Sequence, residues 1–199
     1  MVSNRNKILE TAIKSIATKG FDAVSIRSIT RDVGIKESSF YNHFKSKQAL
    51  LDEIFELMEK DLNRIRPEKS EIEQLCHAMT LKEFLTKRLN QFLKGWENPM
   101  ARYLWFVVSQ QQYKNRKAAA LIVQETERSV EMFHTAFKVF MQQGKMKNGD
   151  AFFLGNLYGY SIRAIHLDCT YRQFESGNEK NTFKRMYDIM EKFAEEYSA

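Results

Sequence analysis

Ser25 to Lys47, SIRSITRDVGIKESSFYNHFKSK, is the stretch that decides the fold. Ile29 and Val33 stand one helical turn apart, and so do Phe40 and Phe44, so two short helices each present a small apolar face. Between them lies Val33-Gly34-Ile35. Gly34 can end the first helix in a left-handed conformation that strains any residue carrying a Cβ. Ser25 suits the N-cap of that helix, because its hydroxyl can accept a hydrogen bond from a free first-turn amide, and Ser46 does the same for the helix that follows. Two short helices around such a turn are the pattern of a helix-turn-helix, whose second helix enters the DNA major groove.

Charge placement points the same way. Residues 1–47 hold nine Lys/Arg against four Asp/Glu, a net of +5 out of +6 for the whole chain. Positive charge gathered around the motif is what a polyanion-binding module requires. Two Pro and eight Gly among 199 residues leave little room for a sandwich or barrel, whereas long runs of Lys, Glu, Leu, Ala, Gln and Met favour helix. Cys76 and Cys169 are too few for a disulfide scaffold. His166-x-Asp168-Cys169 is too sparse a donor set for a metal, so neither metal nor cofactor is expected. MVSNRNKILE lacks the apolar core of a signal peptide. No fully apolar run is longer than Tyr103 to Val108, which is far short of the about 20 residues that cross a membrane. A cytoplasmic location and no membrane partner are expected. No nucleophile–base pattern, phosphate loop or pair of carboxylates in an apolar setting suggests an enzyme.

Along the chain, a first helix is expected from after Ser3 to Lys19, with Ile8, Ala12 and Ile16 in one stripe and Gly20 as its stop. A long helix carrying Leu50, Ile54, Leu57 and Met58 runs from Ser46 to about Arg66, closed by Pro67. Ser70–Glu73 and Thr80–Glu83 read as capping boxes, and Asn98-Pro99 as a helix start. The segment containing Tyr103–Val108 is apolar all round and should be buried. Helices over about 115–143, 150–171 and 178–197 complete an all-α chain, divided near residue 66.

Residues 3–66 resemble the DNA-binding domain of the TetR/AcrR family of bacterial transcriptional regulators. The match is carried by ILETAIKSIATKGFDAVSIRSITRDVGIKESSFYNHFKSKQALL. Within it Ser25-Ile26-Arg27 stands where the family usually has Thr-Val-Arg, and Val33-Gly34-Ile35 is the turn. Phe40-Tyr41-Asn42-His43-Phe44, followed by Ser46-Lys47, is similar to the family's Leu-Tyr-x-His-Phe segment. The resemblance implies a three-helix DNA-binding domain at 1–47, a connector helix at 48–66 and a larger ligand-binding and dimerisation domain at 67–199. It implies a homodimer joined mainly through the last two helices. Tyr41, His43 and Lys47 match positions that hold DNA phosphates, as does Ser25. Lys36, Glu37, Ser38 and Ser39 match positions that face base edges, and Arg27 and Asn42 lie in the same matched motifs. Lys36 stands at an N-cap where Ser is common, Glu37 replaces a frequently basic residue, and Thr30 replaces a small Ala, so its hydroxyl requires a partner.

Beyond the motif, Phe92, Trp96, Tyr103, Phe106, Tyr113, Phe133, Phe137 and Tyr158 offer an apolar wall for a cavity, with Gln110 and Arg163 as polar groups inside it. Any one of these rings can equally be ordinary core. Gly155 and Gly159, four apart in one helix, require another helix at close approach. With Phe152, Ile162, Met186, Met190 and Phe193 they are assigned to the dimer interface implied by the resemblance, the alternative being a crossing inside the subunit. The function expected is a ligand-responsive regulator, a repressor, that binds a near-palindromic operator and is released by an apolar or aromatic effector. A helical protein-interaction module without sequence-specific DNA binding is the alternative that Lys36 and Glu37 keep open.

Overall fold

The computed structural model describes residues 3–176 and 180–199. Its elements are α1 (Asn4–Lys19), α2 (Ile26–Val33), α3 (Glu37–Tyr41), α4 (Lys47–Ile65), α5 (Lys69–Ala78), α6 (Leu81–Glu97), α7 (Pro99–Gln111), α8 (Arg116–Gln142), α9 (Ala151–Ser176) and α10 (Lys180–Tyr197). Local chemistry sets their ends. Ser3 Oγ accepts from the Asn6 amide at 3.3 Å, and the Gly20 N–H donates to Ile16 O at 2.8 Å. Asn98 Oδ1 accepts from the Met100 amide at 3.0 Å, with Pro99 in the first turn. Thr80 and Glu83 cap each other: the Glu83 N–H donates to Thr80 Oγ1 at 3.3 Å, and the Thr80 N–H donates to Glu83 Oε2 at 2.8 Å. Those bonds hold the Glu83 carboxyl below the usual carboxylate range. At α5 the expectation is corrected. Pro67 has already broken the backbone, the helix starts at once after Glu68, and Ser70 lies inside it instead of capping it.

The chain packs as two units: residues 1–65 with 96–123, and residues 66–95 with 124–199. In the first, α7 lies against α1 and α4. Leu104, Val107 and Val108 are buried there, and Gln110 Nε2 donates to Ala17 O at 2.8 Å. This differs from a division near residue 66. The apolar α7 is covered, as its composition demands, but the faces that cover it belong to α1 and α4.

The second unit is built around aromatic rings. Phe137 stacks on Phe193 with centroids 5.2 Å apart, and Tyr158 meets both Phe133 and Phe193 at 4.8 Å. Phe84, Leu85, Met186 and Met190 belong to the same core. Burial pushes the Cys76 thiol up to about 12, so it is chemically quiet. Lys145 Nζ donates to Cys76 O, His77 O and Met79 O at 2.9, 2.7 and 3.0 Å. One ammonium thereby satisfies carbonyls that the end of α5 leaves open. Among the described residues no helix is long and apolar enough to cross a membrane.

Candidate functional site

The reading surface starts from α2. The Ser28 N–H donates to Ser25 Oγ at 3.0 Å, and the Ser25 N–H donates to Ser28 Oγ at 3.1 Å, a reciprocal cap that orients the helix start. At its other end Gly34 is left-handed (φ 78°, ψ 35°). Its N–H donates to Arg31 O at 3.1 Å, and the Ile35 N–H donates to Thr30 O at 2.9 Å. This paired closure satisfies the last carbonyls and sends the chain sharply into α3. Thr30 finds its partner inside its own helix: Oγ1 donates to Arg27 O at 3.2 Å, so the hydroxyl is buried at little cost.

Phe40, fully buried, and Phe44 pin α3 from below, with ring centroids 5.5 Å apart. Helical spacing then turns Glu37, Ser38, Tyr41 and Asn42 outward, and all four are exposed. Tyr41 is 56% exposed despite its ring, which only touches Phe40 edge-on at 5.6 Å. Ser25, Arg27, Lys36 and His43 are also exposed, and Ser39 is half-buried. Lys36 makes no side-chain cap, as its chemistry dictates. Arg31 grips Asp32 at 2.9 Å and Arg5 grips Glu53 at 2.6 Å, so two carboxylates of this unit are paired with arginines.

Lys47, matched to a phosphate-holding position, is engaged within its own unit. Its Nζ donates to Phe21 O and Val24 O at 2.7 Å each and sits 4.1 Å from the Phe21 ring centroid. A lysine stem is long enough to reach back to the α1–α2 turn, where the Phe21 and Val24 carbonyls hold the ammonium. Lys47→Ala should therefore lower the stability of the first unit by about 1–3 kcal/mol, the range for bonds to a charged donor. Urea unfolding measures it; unchanged stability together with lost DNA affinity would restore the phosphate role. Lys45, exposed beside the Ser46-capped start of α4, is the cation that reading the motif residue by residue passed over. Its only sequence signal is its place between His43 and Ser46.

The residues assigned to a cavity do not gather in one unit. Trp96, Tyr103, Phe106, Gln110 and Tyr113 fall in the first, whereas Phe92, Phe133, Phe137, Tyr158 and Arg163 fall in the second. Tyr113 is 88% exposed, just beyond the end of α7. Trp96 and Phe106 pack edge-on at 6.0 Å. Phe133, Phe137 and Tyr158 are core rings, and burial drives the Tyr158 hydroxyl well above its usual range. Around Arg163 the setting is more polar. Arg163 Nη1 donates to His166 Nδ1 at 3.3 Å, since a guanidinium has no lone pair to accept with. Burial, then the Arg163 charge, pushes His166 down to about 3, so its ring is neutral.

Most of the residues assigned to the dimer interface pack within the subunit, and Phe152 is exposed. A Cβ on Gly155 would collide with the His134 ring and lie 2.9 Å from the His134 amide nitrogen. One on Gly159 would lie 2.9 Å from a Val130 methyl. The close approach these glycines permit is thus α8 against α9 within the subunit. Met186, Met190 and Phe193 are buried in the same unit's core, because the amphipathic face of α10 is spent on it. Ile162 packs partly buried against that core, whereas Phe152 is 65% exposed and stacks on His134 at 4.5 Å. The apolar surface that α9 does expose is another row: Phe153, Leu157, Tyr160, Leu167 and Tyr171. Its spacing of three, four and seven keeps it on one face.

Comparison with known proteins agrees with this architecture. Residues 8–54 match the family model of bacterial regulatory proteins, tetR family. YerO of Bacillus subtilis, an HTH-type transcriptional regulator, is 45% identical over 51 residues, which are 26% of this chain and 18% of that protein. The HTH-type transcriptional repressor KstR2 of Mycolicibacterium smegmatis is 36% identical over 52 residues, covering 26% of this chain and 25% of that one. The match thus spans a quarter or less of the length of these two relatives. A TetR-family regulator from Mesorhizobium loti shares the fold over 98% of this chain and 97% of its own, with a TM-score of 0.66 at 15% identity. Residues 8–54 thus carry the motif of the tetR family of bacterial regulatory proteins, and the fold is shared with a solved TetR-family regulator along nearly the whole chain.

Proposed function

We propose that the protein is a cytoplasmic, homodimeric repressor that binds a near-palindromic operator and is released by a small molecule taken up in its second unit. The observation that carries this reading is the surface of α3. Buried Phe40 and Phe44 fix the helix while Glu37, Ser38, Tyr41 and Asn42 project outward from it. Tyr41 and His43 donate to phosphates and set register; Lys45 and the capped start of α4 add a further anion site. Lys36, Glu37, Ser38 and Ser39 read base edges, with Lys36 donating to guanine and Glu37 accepting from cytosine. The exposed apolar row on α9 supports the dimer, since a self-complementary face is what a two-fold interface uses. KstR2, matched over the same motif, is named a repressor.

An effector acts only by binding one dimer geometry better than another. A tenfold change in operator affinity requires about 1.4 kcal/mol of that difference. The testing experiment is an unbiased DNA selection on the purified protein at two salt concentrations. An enriched palindrome supports the reading, and binding without any enriched sequence sinks it. Tyr41→Phe should weaken binding to every sequence alike, by about fivefold for one lost hydrogen bond of about 1 kcal/mol. A changed base preference would move Tyr41 to the readout set.

A further inference from the structure

α7 lies on α1 within the first unit, mainly through apolar side chains. Val107 and Val108 of α7 are fully buried there, as are Ile16 and Ala17 of α1. Aliphatic faces of this kind gain free energy from contact without strongly fixing which residue stands opposite which. Gln110, read along the chain as a polar group of a cavity, is the exception. Its Nε2 donates to Ala17 O at 2.8 Å, in the last turn of α1, where carbonyls run out of amide partners within the helix. Its Oε1 is shut off from water and has no hydrogen-bond partner among the described residues. Turning the amide over offers no relief, because it would set Oε1 against the Ala17 carbonyl.

One good bond and one orphaned acceptor on the same amide largely offset each other. A side chain that adds little to stability can still add direction, since a single buried polar contact can fix register between apolar helices. The place that Gln110 fixes matters for DNA. Just beyond Ala17 comes the α1–α2 turn, whose Phe21 and Val24 carbonyls hold Lys47 of α4 and whose Asp22 takes Lys114 at 3.0 Å. Ser25, the cap that starts α2, follows at once. The Lys114 and Asp22 side chains are 69% and 78% exposed, so salt screens that pair, whereas the Gln110 bond is partly buried. The segment that carries α7, residues 96–123, is joined at both ends to chain of the second unit.

We propose that Gln110 is a positioning residue for DNA recognition: its bond to Ala17 fixes the register of α7 on α1, and so the pose in which the reading head is presented to DNA. This rests on the reading of α3 as the DNA-binding helix of a homodimer. Two heads must reach two half-sites at once to read a palindrome, so a slipped register costs selectivity. A head held on phosphates alone does not need it.

The test uses the full chain, a duplex carrying the sequence that DNA selection enriches with the parent, and a shuffled duplex of the same composition. Gln110→Met replaces the amide by an apolar stem of like length and trades one unpartnered acceptor, Oε1, for another, Ala17 O. Its urea midpoint should match the parent's, while its affinity for the selected duplex falls about tenfold and that for the shuffled duplex is unchanged. Val107→Ala leaves a cavity in the same packing and keeps the bond. Its midpoint should fall, and its preference for the selected duplex should stay at the parent's value. A merely structural Gln110 would make selectivity follow stability in both variants. The proposal is overturned if folded Gln110→Met keeps the parent's preference, or if both variants lose preference in step with their midpoints. A parent chain that enriches no sequence removes the DNA reading itself, and this role with it. A parent that selects DNA beside an equally selective Gln110→Met removes the role alone.

Discussion

Gly155→Ala should destabilise the second unit by about 2 kcal/mol, although alanine is the better helix former. The propensity gain is about 1 kcal/mol. Against it stands a methyl placed 2.9 Å from the His134 amide nitrogen and 3.2 Å from its Cα, in addition to the ring contact. Backbone of a packed helix does not move aside as a side-chain tip does, and overpacking of this kind costs about 1–3 kcal/mol or more. Gly159→Ala meets chiefly a Val130 methyl at 2.9 Å, so its loss should be smaller. Gly95→Ala is the control: nothing lies within 4 Å of its added Cβ, and it should stabilise α6 by about 1 kcal/mol. Urea unfolding of the three variants should rank them in that order. A Gly155→Ala chain of normal stability that no longer dimerises would return the glycine pair to the subunit interface.

Acid should weaken the fold through His166. In the unfolded chain its imidazole protonates near 6.5; in the folded unit burial and Arg163 hold that event down to about 3. Between those values the unfolded chain binds the extra proton, so stability rises with pH there. The contribution is fully present above 6.5 and is lost progressively as pH falls toward 3. At pH 5 the loss should be about 2 kcal/mol. His166→Gln keeps a group able to accept from Arg163 and removes the titration. Its unfolding free energy should therefore change less between pH 7 and 5, by that amount, whatever its baseline. An identical acid slope in variant and parent would assign the pH dependence to other groups.

What could be read along the chain was whatever a few neighbouring residues decide among themselves. Ser25, Gly34, Thr80 with Glu83, and Asn98 with Pro99 each state a helix end, and the hydrogen bonds at all of them are made as their chemistry requires. Outward and inward faces of α3 follow from Phe40 and Phe44 alone. The partner of a face is another matter. The apolar run at 103–108 says that α7 must be covered, but nothing local says that α1 covers it. Gly155 and Gly159 announce a close approach and leave its author unnamed, whether α8 or a second subunit. The same holds for polar tips: Lys47 beside a DNA-binding motif suits a phosphate and a backbone carbonyl equally, and only the folded position of the 21–24 turn decides. Aromatic residues 96–113 and 133–158 carry one composition but serve two units.

The Lys47 bonds have a mechanical consequence. They tie the first turn of α4 to the turn between α1 and α2, so the connector and the reading head are one rigid piece. The start of α4 therefore cannot slide along α1 without breaking both bonds and leaving an ammonium without its carbonyls; any displacement of it carries the 21–24 turn along.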